Sequence, residues 1–381
     1  MQSSFSLKKP NISKDLAIDI AEKHFGLESK LFAVKEFDSY SDKNFYFKRK
    51  SDQDQNEDNE FVLKILNNVD SAIEGMVEAQ NGAMLFLKNQ GLICPVPVLS
   101  ASGSYIIYHD CSQPEMTQVR RDKGGDKRNA VRLMRYVPGD ILKNVAVLTE
   151  DFLFNFGKYI GKLDKVLKDY SHPGLNDEVC YNWDLVHLSS IKPYISAKYL
   201  GTKDRENLVM NVYDQYFATV PQVLQKCSKQ VIHNDINEFN VIVTQDTDVT
   251  TDVKWRTVGV IDFGDVCYSY RVFEIAIAMA QIITLNYCRG DPKPLESAGK
   301  VLKGYQSVYP LSTEELAIIY WCIAGRYIQL LTIGSFRCSI EPENKEYIMA
   351  TDIHIWKVLP EYLRVNPIEL LDKWMNDGTE I

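Results

Sequence analysis

The sequence lacks the features that mark secreted and repetitive proteins. It contains no internal repeat, no coiled-coil heptad pattern and no long low-complexity tract. Its eight cysteines are scattered without a C-x-x-C pair, and several lie in apolar runs where a free thiol behaves as a small hydrophobe. Residues 1–27 have no continuous apolar core of a signal peptide and favour a short amphipathic helix instead. These absences indicate a reducing compartment, and we expect the cytoplasm.

An excess of positive charge is also missing. The formal net charge is −8 at pH 7, which argues against nucleic acid as the main partner because neutralising phosphates requires a basic surface. An amine-bearing ligand fits this charge better. The one stretch long enough to span a bilayer, 316–334, has Arg326 in its middle, which costs ~2.5–3.5 kcal/mol on insertion scales. We therefore predict a buried core helix there, and neither a nucleic-acid nor a membrane partner.

Length and pattern predict an α+β protein of two lobes. With 381 residues, 45% of them hydrophobic, the chain can bury a sizeable core, and its length suggests roughly two domains. The predicted N-terminal lobe, 1–136, is an antiparallel sheet with one helix near 71–90, and its strand-like runs lie near 33–37, 44–48, 61–66, 104–109 and 130–136. The predicted C-terminal lobe, 137–381, is mainly helical, with helical patterns at 149–170, 203–226, 271–288, 295–308, 313–336 and 343–358. A cleft at the junction of two lobes is the expected ligand site.

Two polar loops at the ends of apolar strands carry the candidate chemistry. In "VIHNDINEFNVIV" (231–243) apolar runs flank Asp235 and Asn240, and in "VGVIDFGD" (258–265) an apolar strand ends at Asp262. Phosphoryl transfer needs a carboxylate that accepts or orients the hydroxyl proton, with an Asn and an Asp whose oxygens hold Mg²⁺. The D-x-x-x-x-N spacing followed by D-F-G is the protein-kinase arrangement of catalytic loop and metal loop. We predict Asp235 as the base and Asn240 and Asp262 as metal ligands; two unrelated polar hairpins are the alternative.

Together, "HNDINEFN" and "IDFGD" resemble the aminoglycoside phosphotransferase family of kinase-like small-molecule kinases, whose loop usually reads H-G-D-x-x-x-x-N. The resemblance implies a protein-kinase-like bilobal fold, with a nucleotide-binding N-lobe and a C-lobe that holds the catalytic and acceptor-binding residues. Asn234 stands where the family usually has Gly, and we expect little harm because Asn tolerates unusual backbone angles. The polar insertion at 244–256 predicts a longer hairpin tip. His233 is expected to be structural.

A kinase-like fold also requires a lysine on a central N-lobe strand, which meets the nucleotide phosphates and pairs with a glutamate on the next helix. "EFVLKIL" (60–66) supplies Lys64 with apolar residues on both sides, although edge strands also often carry lysine. The following helix offers Glu74 and Glu78 on one face. We predict that Glu78 positions Lys64, with Glu74 as the alternative.

A glycine-rich G-x-G-x-x-G loop is absent from the N-lobe, and no A-P-E segment follows D-F-G, so a protein kinase is disfavoured. The equivalent turn is expected in "FDSYSDKNFYF" (37–47), where Ser39, Tyr40 and Asn44 could offer donors to phosphates. A plain hairpin turn is the alternative reading of this segment.

The donor nucleotide is expected at a hinge segment. "VRLMRYVPGD" (131–140) resembles the hinge of the family, where Met134 to Tyr136 would present main-chain groups to the base. Backbone hydrogen bonds could read adenine or guanine, so GTP and ATP both stay open, and Mg²⁺ is the expected metal.

The resemblance implies a small amine-bearing alcohol as acceptor. Asp265, just past Asp262, could bind an ammonium group, and Arg326 could bind a carboxylate through two hydrogen bonds. For Arg326 a buried structural ion pair is the alternative. "YNWDL" (181–185) places Trp183 and Asp184 where related kinases line the acceptor pocket, although a Trp before a helix is more often a packing anchor.

Two other readings stay open at this point. Within the same class, the acceptor could be that of a homoserine, choline or aminoglycoside kinase. From a different class, the chain could be a catalytically silent pseudokinase that binds nucleotide. The joint presence of Lys64, Asp235, Asn240 and Asp262 argues against the pseudokinase, since a binding scaffold needs neither the base nor both metal ligands.

Overall fold

The computed structural model describes residues 9–50, 59–111, 128–177, 183–246, 254–342 and 345–376. Most of the polar insertion predicted at 244–256 falls outside these residues, as do Tyr181 and Asn182 of "YNWDL". Backbone proximity divides the chain into two units. The first comprises Met1–Val137 and His172–Leu175, and the second comprises Pro138–Ser171 and Asn176–Ile381.

The first unit is built on a six-stranded antiparallel sheet. Its strands are β1 (Phe32–Phe37), β2 (Lys43–Arg49), β3 (Glu60–Ile65), β4 (Pro97–Val98), β5 (Ile107–His109) and β6 (Asn129–Arg135). The spatial order is β1-β2-β3-β6-β4, and β5 also pairs with β6. Alternation in β2 buries Phe45 and Phe47, which join Ile20 of helix α1 (Lys14–Phe25) in one core. The antiparallel sheet of the first lobe is thus as predicted.

The helix after β3 begins later than its predicted start near residue 71. Helix α2 spans Met76–Asn89, and a separate 3-10 turn, Asp70–Ala72, precedes it. Gly75 between them has a φ of 72°, a left-handed conformation that glycine adopts at little cost and that interrupts a helix. Glu74 therefore lies outside α2, whereas Glu78 lies in its first turn.

The second unit is mainly helical, as predicted. Its helices are α3 (Glu150–Leu167), α4 (Ala197–Leu200), α5 (Lys203–Leu224), α6 (Arg271–Cys288), α7 (Pro294–Gln306), α8 (Thr313–Ile340), α9 (Lys345–Tyr362) and α10 (Pro367–Met375). Its short strands are β7 (Asp140–Ile141), β8 (Lys229–Ile232), β9 (Val241–Asp246), β10 (Lys254–Val260) and β11 (Cys267–Tyr270). The strands form two small sheets, β10-β9-β7 and β11-β8.

Helices α6 and α8 form the centre of this unit. Both are long and apolar enough to cross a membrane, which corrects the expectation that only 316–334 is long enough, but most of each helix is buried inside the protein. The prediction of a buried core helix at 316–334 is therefore confirmed for α8. Arg271, at the start of α6, bonds both carboxylate oxygens of Glu315 in the first turn of α8, at 2.8 and 2.7 Å. This buried ion pair ties the two helices together.

Helices α3 and α7 approach each other backbone to backbone. A Cβ atom added at Gly157 of α3 would overlap the carbonyl oxygen of Val301, and one added at Gly304 of α7 would overlap that of Phe154. Only glycine allows this approach, so both positions are set by packing.

Candidate active site

The loop at residues 233–240, between β8 and β9, is held by a buried carboxylate from α6. Glu274 accepts the backbone N–H groups of His233 and of Asn234, the latter at 3.0 Å from Oε2. Asn234 has a φ of 67°, in the left-handed region that glycine and asparagine adopt most readily. This confirms that asparagine adopts an unusual backbone angle here. Burial, with the nearby Asp235 charge, raises the pKa of Glu274 to about 7.

His233 joins this loop to the loop that contains Asp262. Its buried ring accepts the backbone N–H of Asp235 at Nδ1, 3.3 Å away, and its Nε2 lies 3.1 Å from the carbonyl oxygen of Ile261. Because Nδ1 accepts, Nε2 carries the proton and donates to Ile261. Burial lowers the pKa of His233, which favours the neutral ring. These contacts agree with the expectation of a structural histidine.

Among the residues that the structure describes, three side-chain donors hold the carboxylate of Asp235. Oδ2 accepts from Nδ2 of Asn237 at 2.9 Å and from Nδ2 of Asn240 at 2.7 Å. Oδ1 accepts from Nη2 of Arg326 at 3.0 Å. The Asp235 side chain is 18% exposed, so it can still be reached from solvent. A fixed, accessible carboxylate is what a base or hydroxyl-orienting group requires.

A backbone hydrogen bond holds the segment of Asn240 beside the segment of Asp262. The N–H of Ile261, the residue before Asp262, donates to the carbonyl oxygen of Asn240 at 2.8 Å. Asp262 has a φ of 59° and caps the 3-10 turn Phe263–Asp265, since its Oδ1 accepts the N–H of Gly264 at 3.2 Å. The Nδ2 of Asn240 is bonded to Asp235, which leaves its Oδ1 as the atom for a cation.

This donor set suits Mg²⁺. Among the described residues, no group of three or more His, Cys, Asp and Glu side chains could hold a metal by itself. Mg²⁺ is usually bound by one or two carboxylates together with phosphate oxygens and water, so one carboxylate and one amide oxygen fit. The metal roles of Asn240 and Asp262 stay predictions.

In the first unit, Lys64 is buried in β3 and pairs with a carboxylate that the sequence did not suggest. Its Nζ lies 3.1 Å from Oδ2 of Asp42, and Oδ1 of Asp42 accepts the backbone N–H of Asn67 at 2.9 Å and its Nδ2 at 3.0 Å. The pairing of Lys64 with Glu78 stays a prediction, beside the Asp42 contact that is seen. Asp42 immediately precedes β2, which is the neighbour of β3 in the sheet, whereas Glu78 is exposed on α2.

The turn before β2 contains the other predicted phosphate contacts. The Ser39 hydroxyl donates to the carbonyl oxygen of Asp42, so it closes the turn. Tyr40 is half-buried in the same turn. Asn44 lies opposite Lys64 in the β2–β3 register, and its buried Oδ1 has no hydrogen-bond partner among the described residues. Roles of these residues toward a nucleotide stay predictions.

The predicted hinge is part of the sheet. Met134 in β6 lies opposite Val62 of β3 and Pro97 of β4. The backbone N–H of Tyr136 donates to the carbonyl oxygen of Glu60 at 3.0 Å. That N–H is already used by strand pairing, and the roles of Met134 and Tyr136 toward a nucleotide base stay predictions.

Asp184 makes structural hydrogen bonds inside the second unit. Its Oδ1 accepts the N–H of Val186 at 3.1 Å and the hydroxyl of Ser269 at 2.8 Å. The first bond caps the 3-10 segment Leu185–Tyr194. The side chain is buried, and this burial raises the pKa of Asp184. Its predicted place in the lining of the acceptor pocket stays a prediction.

Arg326 forms a buried ion pair with Asp235, which was the alternative to its predicted contact with the acceptor. It is 2% exposed and bonds Asp235 and Oε1 of Gln329, the latter at 2.9 Å. The half-buried ring of Trp183 lies 5.3 Å from the guanidinium carbon. The charge of Arg326 is thus paired with Asp235 inside the protein, as an arginine buried in an apolar helix requires. Asp265, half-buried at the end of its 3-10 turn, stays a candidate for the acceptor amine.

Several site residues were missed by sequence reasoning. Glu274 was detectable, since it is a charged residue inside the apolar run "VFEIAIAMA". Asn237 lies between Asp235 and Asn240 and had only its position as a signal. Asp42 and Asn67 carried no local signal, because the contacts of Asp42 with Asn67 and with Lys64 join separate segments of the chain.

A buried lysine in an antiparallel sheet, a D-x-x-x-x-N loop and a D-F-G turn are parts of a kinase. The chain belongs to the phosphotransferase enzyme family (APH), which it matches over residues 34–311. It is therefore a phosphotransferase with a hydroxyl acceptor, whose partners are a nucleotide and a small-molecule substrate.

Within this class the chain is similar to hydroxylysine kinases. It is 31% identical over 359 residues to hydroxylysine kinase of Xenopus laevis, covering 92% of this chain and 90% of the relative. It is 29% identical over 367 residues to hydroxylysine kinase of Bos taurus, covering 94% and 92%.

Two solved structures show the same fold. The microcompartment-associated aminopropanol kinase gives a TM-score of 0.68 at 16% identity, covering 94% of this chain and 100% of that one. An amicoumacin kinase in complex with AMP-PNP and Ca²⁺ gives a TM-score of 0.60 at 16% identity, covering 95% and 94%. The predicted α+β, protein-kinase-like fold class is confirmed.

Proposed function

We propose that this chain is a cytoplasmic enzyme that transfers the γ-phosphate of GTP to the 5-hydroxyl of 5-hydroxy-L-lysine. The product would be 5-phosphohydroxy-L-lysine, in the breakdown of hydroxylysine. The proposal is supported by the similarity to hydroxylysine kinases along nine-tenths or more of both chains. Segments such as "VRLMRYVPG" and "AGRYIQLLTIGS" resemble the same enzymes.

The observation that carries the proposal is the Asp235 carboxylate, which three donors fix while leaving it partly exposed. We assign Asp235 to accept or orient the proton of the acceptor hydroxyl. Lys64, held by Asp42, would bind nucleotide phosphates. Asn240 and Asp262 would hold Mg²⁺, which neutralises charge on the nucleotide phosphates when it is bound.

The proposed reaction requires alignment and charge stabilisation from these residues, and no covalent intermediate with the protein. The phosphoryl group passes through a loose transition state, so the rate comes from alignment of the hydroxyl and from charge stabilisation. Asp265 would serve an ammonium group of the acceptor, and Trp183 would form part of the pocket wall. The 5-hydroxyl is the only hydroxyl on the hydroxylysine side chain, so this alignment defines one product.

A panel of acceptors and nucleotides tests the substrate. Release of nucleoside diphosphate and mass of the phosphorylated product would be measured with 5-hydroxy-L-lysine, homoserine, choline and an aminoglycoside, each with GTP and with ATP. We expect transfer to hydroxylysine and a preference for GTP. Transfer to another acceptor with none to hydroxylysine would refute the substrate, and nucleotide binding without any transfer would favour the pseudokinase.

Replacing Asp235 tests the assigned base. Asp235→Asn should lower kcat by about 10²–10⁴-fold, the usual contribution of a positioned base, and should leave nucleotide affinity largely unchanged. Asp177→Asn, which alters an exposed partner of Lys229, is the matched control. Equal turnover of the two variants would remove Asp235 from the mechanism.

A further inference from the structure

The three donors to Asp235 come from two parts of the fold. Asn237 and Asn240 belong to the same loop as Asp235, so they fix the carboxylate relative to that loop only. Arg326 lies on α8, 91 residues away in sequence. It is therefore the donor that fixes the carboxylate relative to the helical core.

The two oxygens of Asp235 are not equivalent. Each carboxylate oxygen can accept about two hydrogen bonds. Oδ2 already accepts two, from Asn237 and Asn240, whereas the bond described for Oδ1 comes from Arg326. The remaining capacity for an acceptor hydroxyl is thus on Oδ1, the oxygen that Arg326 orients.

Arg326 is itself fixed in place. Gln329, one turn further along α8, accepts from Nη1 at 2.9 Å, and the ring of Trp183 lies over the guanidinium. The buried Nε of Arg326 has no hydrogen-bond partner among the described residues. Because the guanidinium is held on several sides, it can fix the position of the Asp235 carboxylate that it contacts.

The charge of Arg326 also balances two carboxylates around the 233–240 loop. Burial is the main cause that raises the pKa of Glu274; the Asp235 charge raises it further, and the Arg326 charge lowers it. Without a cation, two carboxylates in one buried site repel each other. Arg326 therefore supplies positive charge beside these carboxylates, and it contacts Asp235 directly.

We propose that Arg326 is a positioning residue, which aims Oδ1 of Asp235 at the acceptor hydroxyl and neutralises the carboxylates around it. This inference rests on the proposed role of Asp235 in the reaction. It differs from the role expected from the sequence, in which Arg326 would bind a carboxylate of the acceptor.

Kinetics of matched arginine variants separate these roles. Arg326→Ala should lower kcat by about 10²-fold, at the low end of what a positioned base contributes, with acceptor KM largely unchanged. Arg326→Lys should retain part of the rate, because it keeps the charge and loses the planar fork. Added methylguanidinium should restore part of the Arg326→Ala rate. Arg337, equally buried on α8 and paired with Glu341, gives the control Arg337→Lys.

A pair of acceptors tests the competing role directly. The variants would be assayed with 5-hydroxy-L-lysine and with its decarboxylated amino-alcohol counterpart. Positioning of Asp235 predicts the same fold-loss of kcat for both acceptors. A rise in KM confined to the carboxylate-bearing acceptor, or equal kcat for Arg326→Lys and Arg337→Lys, would overturn the inference.

Hydrogen exchange gives a readout that needs no acceptor. The backbone amides of 234–240 should exchange faster in Arg326→Ala than in Arg337→Ala, measured by mass spectrometry on the full chain. If the wild-type chain phosphorylated no acceptor, the proposed function would fail, while this measurement would still decide the role of Arg326. Unchanged exchange in this loop would overturn that role.

Discussion

Asn234→Gly should make the protein more stable, although it removes a fully buried side chain at the centre of the site. Asn234 is 0% exposed and has a φ of 67°. Among the described residues, neither Oδ1 nor Nδ2 of its side chain has a hydrogen-bond partner. Its backbone N–H, which donates to Glu274, is kept when glycine replaces it.

The size of the effect follows from four terms. A left-handed conformation costs an ordinary residue about 1–2 kcal/mol, and somewhat less for Asn. A buried polar group without a partner costs about 1–3 kcal/mol. Against these, glycine loses about 0.5–1 kcal/mol through backbone entropy, and loss of one buried methylene costs about 0.8 kcal/mol. The favourable terms are larger, so we expect a gain of about 1 kcal/mol.

Urea unfolding measures this gain as a shift of the midpoint at constant slope. Asn234→Ala is the informative comparison, because it removes the same amide but keeps a Cβ in the left-handed region. It should be less stable than Asn234→Gly by about 1 kcal/mol. A glycine variant that is less stable than the wild type would show that the amide is satisfied and would refute the reasoning.

Two further changes test other parts of the fold. Gly304→Ala should lower the free energy of unfolding by about 2–3 kcal/mol, because the added Cβ would overlap the carbonyl oxygen of Phe154. Thermal unfolding measures this loss, with the exposed substitution Lys162→Ala as the control. A neutral result would contradict the backbone contact between α3 and α7. The folded-state pKa of Glu274, about 7, is raised above the model-peptide value of 4.5, so its contribution to stability is present below about pH 4.5 and is lost as pH rises through 7. Urea unfolding from pH 4.5 to 8 should therefore show the stability of wild type falling relative to Glu274→Gln, and parallel curves would show that Glu274 does not titrate there.

Much of the fold was predictable because its elements follow local patterns. Helix α6 spans Arg271–Cys288, the range that its helical pattern predicts, and α5 begins at Lys203 as expected. Caps explain such starts: the side chains of Thr202 and Ser312 accept backbone N–H groups at the beginnings of α5 and α8. Elements set by backbone geometry were less predictable, as the late start of α2 after Gly75 shows.

The pairs within the site were harder to predict than its members. Asp235, Asn240 and Asp262 follow apolar strands and could be found from spacing alone. The β2–β3 register places Asn44 opposite Lys64, whereas the carboxylate that contacts Lys64 comes from Asp42, in the turn just before β2, and no spacing in the sequence encodes this contact. A helical glutamate was inferred from analogy, whereas the contact seen comes from the turn before β2.

The sequence nevertheless contains a general signal for the residues that hold the 233–240 loop in place. A charge inside an apolar helix must find an opposite charge or several hydrogen bonds, because leaving it buried and unpaired costs several kcal/mol. Glu274 in α6 and Arg326 in α8 are two such charges, and both contact the loop at 233–240. That loop has irregular backbone and a carboxylate that strand pairing cannot satisfy. Charged residues in neighbouring buried helices are thus where the hydrogen-bond partners of such a loop should be sought.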